Sequence, residues 1–362
     1  MSTPASSLSN RINDEIDYVV HDASSFENRR DKLKRWYEQE QLPSLSLHPD
    51  WSVIINESMG HEPYAIEATQ NGNCIGLLNL VHMKSPLFGQ HLVSLPYLNS
   101  GGAIARDAQT RACLIDQATQ LADQLNVKHL QLRHEDEQPH ATLNHSLTSK
   151  IHMRLRLPNT SDELWNQFKP KVRNQVRKAT KLGVEIDWGK TDLLDEFYDV
   201  FSRNMRDLGT PVFGRDLFSS ILTRFEDETE ICVGRLKGKT VSAALLLHGR
   251  SITEVPSASS LRPFNSTNCN MLMYWSLLKR AIDRQQEIFD FGRSSLDSPT
   301  YRFKKQWGAE SSPAIWQFYI RQGDVNDLRI ESGRFDLAVK TWSKLPLAVT
   351  KWLGPSIVKG IP

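Results

Sequence analysis

A long pattern that occurs twice constrains this chain more tightly than any short motif in it. Residues 64–83, YAIEATQNGNCIGLLNLVHM, set apolar residues at strand spacing on either side of Asn71-Gly72, a dipeptide suited to a tight hairpin turn. Residues 230–249, EICVGRLKGKTVSAALLLHG, repeat the layout with Lys237-Gly238 at the turn. Downstream of the first copy, residues 110–126 have a helical apolar period and lead into the strand-like HLQLRH. Residues 268–286 do the same after the second copy and lead into IFDF. The copies lie about 160 residues apart, an internal repeat of domain size.

Each copy thus runs helices, a hairpin, one helix and a strand. That order predicts a mixed α/β sheet whose last strand lies parallel to a neighbour through a right-handed crossover. It fits the acyltransferase fold called GNAT, and also a generic α/β pair. At 362 residues the chain is long enough for two domain-sized cores. The Pro158-Asn159-Thr160-Ser161-Asp162 cluster interrupts the periodic pattern, so a first unit is expected over 1–157, a second over 158–325 and a tail over 326–362.

Composition narrows the function classes. A chain 39% hydrophobic and 24% charged is neither disordered, collagen-like nor a coiled coil. Its formal charge of +2 means that any polyanion binding must rest on a local patch. No apolar run approaches the roughly 20 residues that span a bilayer. The polar, Ser-rich residues 1–10 lack the layout of a secretory signal, so a cytoplasmic location is expected. Cys74, Cys113, Cys232 and Cys269 are widely spaced without C-x-x-C, which suits buried thiols and neither a disulfide framework nor a zinc site.

The clearest local patch is FKPKVRNQVRKATKLG. Lys169, Lys171, Arg173, Arg177, Lys178 and Lys181 put six positive charges in thirteen residues, with no acid from Leu164 to Val184. On a helix, Val172, Val176 and Ala179 share one face, while Arg173, Arg177 and Lys181 form an i, i+4, i+8 row on another. A solvated helix face is the commoner origin of a charge run. This one lacks the usual mixture of signs, which favours phosphate contact through the planar forks of arginine.

A second constellation begins where a strand is expected to end. Asp290-Phe291-Gly292-Arg293-Ser294-Ser295 is followed by Tyr301, Lys304, Lys305 and Trp307. Ligands in α/β sheets collect at the carboxyl ends of strands. Gly292 would let backbone approach a substrate, Arg293 and Ser294 would offer donors, and Lys304 and Lys305 would face developing negative charge. The alternative is a strand-to-helix turn with Tyr301, Phe303 and Trp307 in the core and the cations on the surface. The string NMRDLGTPVF, 204–213, reads as a helix stopped by Gly209 and Pro211, with a loop that could line a groove.

Other chemistries lack their signatures. His134, His140 and His145 cluster without metal-ligand spacing, so a solvated loop and no metal are expected. No G-x-S-x-G, G-x-x-x-x-G-K-[ST] or G-x-G-x-x-G occurs, which leaves serine-hydrolase, P-loop and dinucleotide readings without support.

Four long strings in order resemble the FemAB-like branch of the GNAT superfamily, most of all the FemAB-related proteins associated with PEP-CTERM/exosortase systems. They are residues 76–102, 171–183, 204–213 and 289–310; Asn79 stands where that branch usually has proline. The resemblance covers nearly the whole chain and implies two tandem GNAT-like domains with acyl or aminoacyl transfer to an amine. It implies phosphate contacts at Arg173 and Arg177, and a cation near the reacting carbonyl at Lys304. The acceptor would be an exopolysaccharide or cell-envelope precursor, either a phosphate-bearing small molecule or a lipid-linked sugar. No cofactor would be tightly bound, and the donor would be aminoacyl-tRNA or acyl-CoA. Asp290 and Glu254 are the best carboxylates for a general base, since both lie near expected strand ends. The usual pyrophosphate loop of GNAT enzymes is missing, residues 261–270 reading LRPFNSTNCN, which lowers the odds of a standard acetyl-CoA site.

After Asp336 the chain has no acid, and Lys340, Lys344, Lys351 and Lys359 alternate with Trp342, Trp352 and several Leu and Ile. That suits an anionic membrane surface, here the inner face of the cytoplasmic membrane, and equally a C-terminal helix docked on the second unit and broken at Pro346 and Pro355. Two further functions stay open: a binding protein that keeps a phosphate groove without transfer, and an RNA-binding module using residues 169–181.

Overall fold

A computed structural model describes residues 15–86, 88–323 and 336–361; the polar stretch 1–10 and the start of the expected tail lie outside them. The first half contains β1 (Ile16–His21), α1 (Ala23–Gln39), α2 (Asp50–Met59), β2 (Glu62–Gln70), β3 (Asn73–Ser85), β4 (Gly89–Val93), the short β5 (Ile104–Ala105), α3 (Ala108–Gln124), β6 (His129–His134) and β7 (His145–Arg156). The second contains α4 (Ser161–Gln167), α5 (Pro170–Lys181), β8 (Val184–Gly189), α6 (Leu194–Asp207), α7 (Arg215–Arg224), β9 (Thr229–Leu236), β10 (Lys239–His248), β11 (Ile252–Ser260), α8 (Cys269–Asp283), β12 (Ile288–Ser295), α9 (Pro299–Lys305) and β13 (Glu310–Ile320). Helices α10 (Asp336–Trp342) and α11 (Leu347–Val358) follow.

Both expected hairpins form. Asn71 and Gly72 have φ of 53° and 77°, and Lys237 and Gly238 have 52° and 73°, the left-handed pair that a two-residue turn between twisted strands requires. The parallel neighbours also form, β4 with β6 and β11 with β12, through the crossover helices α3 and α8. The α/β fold class expected from the repeat is therefore the one observed.

The repeat did not reveal how the halves join. All the described strands form one sheet, in the order β1-β2-β3-β4-β6-β13-β7-β12-β11-β10-β9-β8, with β5 beside β3. At its centre the last strand of each half has crossed to the other: β13 pairs with β6, β7 pairs with β12, and the two pair with each other. One hydrophobic cluster likewise spans both halves, from Trp51, Ile54, Val81 and Leu98 to Phe197, Phe218, Leu245 and Leu261. Each half therefore owes an inner strand and part of a core to the other.

Helix α5 buries Val172, Val176 and Ala179 as its period predicts, packing on α8. Helix α6 ends at the expected stop, with Gly209 at φ 76°. Cys74, Cys232 and Cys269 are buried, Cys113 is half-buried, and all are free thiols. His134 is not in a solvated loop: it is buried at the end of β6, where it meets the Gln317 side chain, because β13 covers that edge of β6. In the tail, α11 docks on α6, with Lys351 reaching Asp199 at 3.4 Å. The Lys359 carbonyl accepts hydrogen bonds from Tyr97 Oη (2.8 Å) and His61 Nε2 (2.8 Å) of the first half. The expected break at Pro355 does not occur; the proline sits in the last turn of α11, where its missing N–H forfeits only one bond. No helix among the described residues is long and apolar enough to cross a membrane.

Candidate active site

Strands β11 and β12 stay paired for three residues, to Glu254 and Asp290, and then diverge. Two features open the gap. Pro256 follows the divergence on β11 and has no N–H for a neighbour. On β12, register against β7 shifts between Asp290 and Arg293, with Gly292 at φ 76°, a value costly for any residue with a Cβ. The resulting cavity of about 370 Å³ is lined by Val255 and Pro256 of β11 and by Phe291, Gly292, Arg293, Ser294, Ser295, Ser298, Thr300 and Lys304 along β12 and α9. Asn99 and Lys150 enter from the first half.

Lys304 is the central side chain. Only 8% exposed, it donates from Nζ to the carbonyls of Gly292 (3.0 Å) and Arg293 (2.9 Å). An ammonium has three donors, so two are used within the wall and one is left for a ligand. Burial pulls its pKa down to about 8, Asp290 works in the opposite sense, and Arg293 adds to the fall. It remains mostly charged at neutral pH, and a cation held in a buried position acts strongly on developing negative charge.

Asp290 does not line the cavity. Its carboxylate accepts from the Gly292 N–H (2.6 Å) and from Arg154 Nε (2.8 Å), so it fixes the turn that aims the Gly292 carbonyl at Lys304. Arg154 also grips Glu135 with both terminal nitrogens, at 2.8 and 2.6 Å. Burial opposes the Arg154 charge, but these carboxylates outweigh it and its pKa is raised. Glu254 is withdrawn as well: Ser44 Oγ (2.6 Å) and Ser46 Oγ (2.7 Å) donate to its carboxylate from the first half. Burial, reinforced by Asp290, lifts its pKa to about 7. Neither carboxylate expected as a general base touches the cavity.

Of the expected substrate-binding residues, the structure brings Arg293 and Ser294 to the cavity with Lys304. Tyr301 and Trp307 belong to the core, and exposed Lys305 turns its ammonium to the Tyr301 hydroxyl at 3.0 Å. Arg173, Arg177 and Lys181 lie on α5, where none lines the cavity; Arg173 is half-buried, Lys181 is exposed, and exposed Arg177 lies 5.4 Å from the Trp165 ring centroid. Asn99 and Lys150 were not anticipated, because strand exchange places Lys150 here and the packing of segment 94–102 places Asn99. Trp316 was missed through the same exchange. It comes from β13, donates from Nε1 to the Asn99 carbonyl (3.4 Å), and lies beneath the Arg293 guanidinium at 3.5 Å.

The corresponding gap in the first half is filled. Beyond the β4–β6 pairing, Ser94 N–H donates to the Gln131 carbonyl (2.9 Å) and Gly101 N–H to the Arg133 carbonyl (3.0 Å). The buried Arg133 donates to the Leu98 carbonyl (2.6 Å). Segment 94–102 thus occupies the space that stays open in the second half, and its Asn99 forms part of the second-half cavity.

With this geometry, residues 166–305 match the family described as an acetyltransferase (GNAT) domain. The segment holds β11, α8, β12 and Lys304, so all the residues that line the cavity except Asn99 and Lys150 lie within the match. The fold as a whole is similar to that of FemX, at 15% identity and a TM-score of 0.62, over 84% of this chain and 97% of FemX. It is similar to the C-terminal domain of a putative lysylphosphatidylglycerol synthetase from Agrobacterium fabrum, at 11% identity and 0.54, over 82% and 92% of the two chains. A tandem GNAT protein from the clavulanic acid biosynthesis pathway aligns at 12% identity and 0.50, over 84% and 97%. No curated protein matches by sequence.

Proposed function

We propose that the protein transfers an acyl or aminoacyl group to an amine in the cavity where β11 and β12 diverge. The observation that carries this reading is Lys304: a buried ammonium, anchored by two carbonyls, with a donor to spare beside a strand that Pro256 has deprived of an N–H. The acceptor amine attacks the carbonyl carbon of the donor, a C–N bond forms, and the carbonyl electron pair moves to oxygen. Lys304 stabilises that oxyanion. Collapse then breaks the bond to the leaving oxygen or sulfur, which departs with the proton lost by the amine. No carboxylate lines the cavity among the described residues, so the amine enters as the free base.

The donor is aminoacyl-tRNA or acyl-CoA, held only during turnover. Similarity in fold to FemX and to a putative lysylphosphatidylglycerol synthetase supports the aminoacyl form, as does the atypical segment 261–270. The acceptor is a phosphate-bearing or lipid-linked sugar precursor of the envelope or of an exopolysaccharide, in keeping with the FemAB-like, exosortase-associated resemblance. Exposed Leu337 and Trp352, with Lys340 and Lys344 nearby in sequence, support contact with an anionic membrane surface.

Mass spectrometry of polysaccharide precursors and lipid-linked sugars tests the reading, comparing cells with the wild-type protein, with Lys304→Ala and without either. A mass increment present only with wild type identifies the transferred group. An increment that survives Lys304→Ala rules out the role assigned to Lys304, and no increment in any strain favours a binding protein.

A further inference from the structure

Lys304 has one ammonium hydrogen to spare, and an oxyanion accepts more than one hydrogen bond. Sites built for such a charge aim several fixed donors at the same point. Other polar groups of the cavity are engaged within the fold. Lys150 donates to Ser295 Oγ at 2.8 Å, Arg293 donates from Nε to Asn99 Oδ1 at 3.3 Å, and Ser298 Oγ accepts from the Tyr301 N–H at 3.1 Å.

Asn99 differs from these. Its Oδ1 accepts from Arg293 and its backbone carbonyl accepts from Trp316 Nε1 at 3.4 Å, while its side-chain Nδ2 has no hydrogen-bond partner among the described residues. The bond to Oδ1 also fixes which way the amide faces, because Nδ2 carries two hydrogens and cannot accept from Arg293. The Arg293 guanidinium is itself held over the Trp316 ring at 3.5 Å. The amide of Asn99 is therefore oriented by two residues from the other half of the chain.

Gly292 shows where that amide points. A Cβ added there would lie 3.3 Å from Asn99 Nδ2 and 4.0 Å from Lys304 Nζ, and apart from its chain neighbours no other described residue comes within 4 Å. The two nitrogens thus flank one space, above a residue without a side chain, in the cavity that both side chains line.

We propose that Asn99 is a further catalytic residue, whose Nδ2 donates together with Lys304 Nζ to the carbonyl oxygen that becomes negative when the amine attacks. This deepens the transfer reading above and rests on it. The bonds made and broken are the same. The electron pair displaced onto oxygen is held by an ammonium and a neutral amide, and it returns to the carbonyl when the leaving oxygen or sulfur departs. The first half then contributes chemistry to the site as well as packing.

Two substitutions test the proposal in cells, read as the rate at which the mass increment accumulates after induction, at equal amounts of folded protein. Asn99→Ala removes the Nδ2 donor. Asn99→Asp replaces Nδ2 by oxygen and keeps the acceptor for Arg293 and the carbonyl for Trp316. Both are expected to slow accumulation about 10²-fold and to leave the melting temperature near that of wild type. Slowing in Asn99→Ala alone makes Asn99 a positioning residue for Arg293, slowing in Asn99→Asp alone is an effect of the added charge, and slowing in neither leaves Lys304 unaided; each overturns the proposal. No increment with wild type removes the transfer reading and this role with it. An increment lost in Lys304→Ala and kept in both Asn99 variants removes this proposal alone.

A second measurement needs no substrate. Asn99→Asp sets a carboxylate oxygen where Nδ2 faces the Lys304 ammonium, reinforcing Asp290 and opposing Arg293, so the pKa of Lys304 rises. The increase of stability between about pH 8 and 10.5 that the buried Lys304 gives the wild type is then expected to start at a higher pH and to be smaller in urea denaturation. An increase the same as in wild type means that the two side chains do not share one space, and overturns the proposal.

Discussion

Replacing Lys304 by methionine separates a residue kept for chemistry from one kept for stability. Its pKa falls from 10.5 to about 8 on folding, mainly through burial, which corresponds to about 3 kcal/mol against the charged form at neutral pH. Methionine has nearly the same length and no charge, so Lys304→Met removes that cost. It also leaves the Gly292 and Arg293 carbonyls without their donor, at about 1 kcal/mol each. The variant should therefore be as stable as wild type at pH 7, or more stable by about 1 kcal/mol. The sign of the pH dependence follows from the lowered pKa. Between about 8 and 10.5 the unfolded wild type binds more protons than the folded one, so wild-type stability rises with pH across that window. Lys304→Met lacks this rise, and its advantage should shrink by about 3 kcal/mol by pH 10.5. Urea denaturation from pH 7 to 10.5 measures the difference directly. Turnover should fall about 10²- to 10³-fold, the usual effect of losing an oxyanion donor. In wild type, turnover should decline above pH 8 as the ammonium deprotonates. A variant more than about 2 kcal/mol less stable at pH 7, with a difference that does not change with pH, refutes the reasoning and makes Lys304 a structural residue.

Glu254 titrates in the opposite sense: with its pKa raised from 4.5 to about 7, the folded state binds more protons between these values and stability falls as pH rises through them. Glu254→Gln should abolish about 3 kcal/mol of that fall in denaturation curves from pH 4 to 8, and an unchanged slope assigns it to another group. Gly292→Ala should cost about 1–2 kcal/mol, since φ is 76° and the added Cβ comes 3.3 Å from Asn99 Nδ2; thermal unfolding no different from wild type counts against the strained turn. Trp352 is 77% exposed, so Trp352→Ser should weaken binding to anionic vesicles in a flotation assay without altering the melting temperature, and equal flotation excludes membrane contact through α11.

Much of the local structure of both halves was legible because its signals are local. The turn pairs at Asn71-Gly72 and Lys237-Gly238, the apolar face of α5 and the stop at Gly209 depend on backbone conformation and on residues within a few positions of one another. The string from Asp290 to Lys304 was similarly readable as a strand end leading into a helix, and it contributes Gly292, Arg293, Ser294 and Lys304 to the cavity. The α5 row illustrates the limit of such reasoning. Its spacing correctly describes a basic helix face, but spacing carries no information about distance from the cavity, which none of its cations lines.

Sequence alone determined the α/β class, the repeat and the elements of each copy, because hydrophobic period and turn chemistry act over short stretches of chain. Tertiary structure decided the rest. Exchange of β7 and β13 brings Lys150 to the cavity and Trp316 beneath the guanidinium of Arg293, and segment 94–102 fills one gap while furnishing Asn99 to the other. It also decided which carboxylates are unavailable, since Asp290 and Glu254 meet Arg154, Ser44 and Ser46 only in the fold. Strand pairing is compatible with either partner in a repeat whose copies share the same pattern, so only packing of the whole sheet selects the exchanged arrangement.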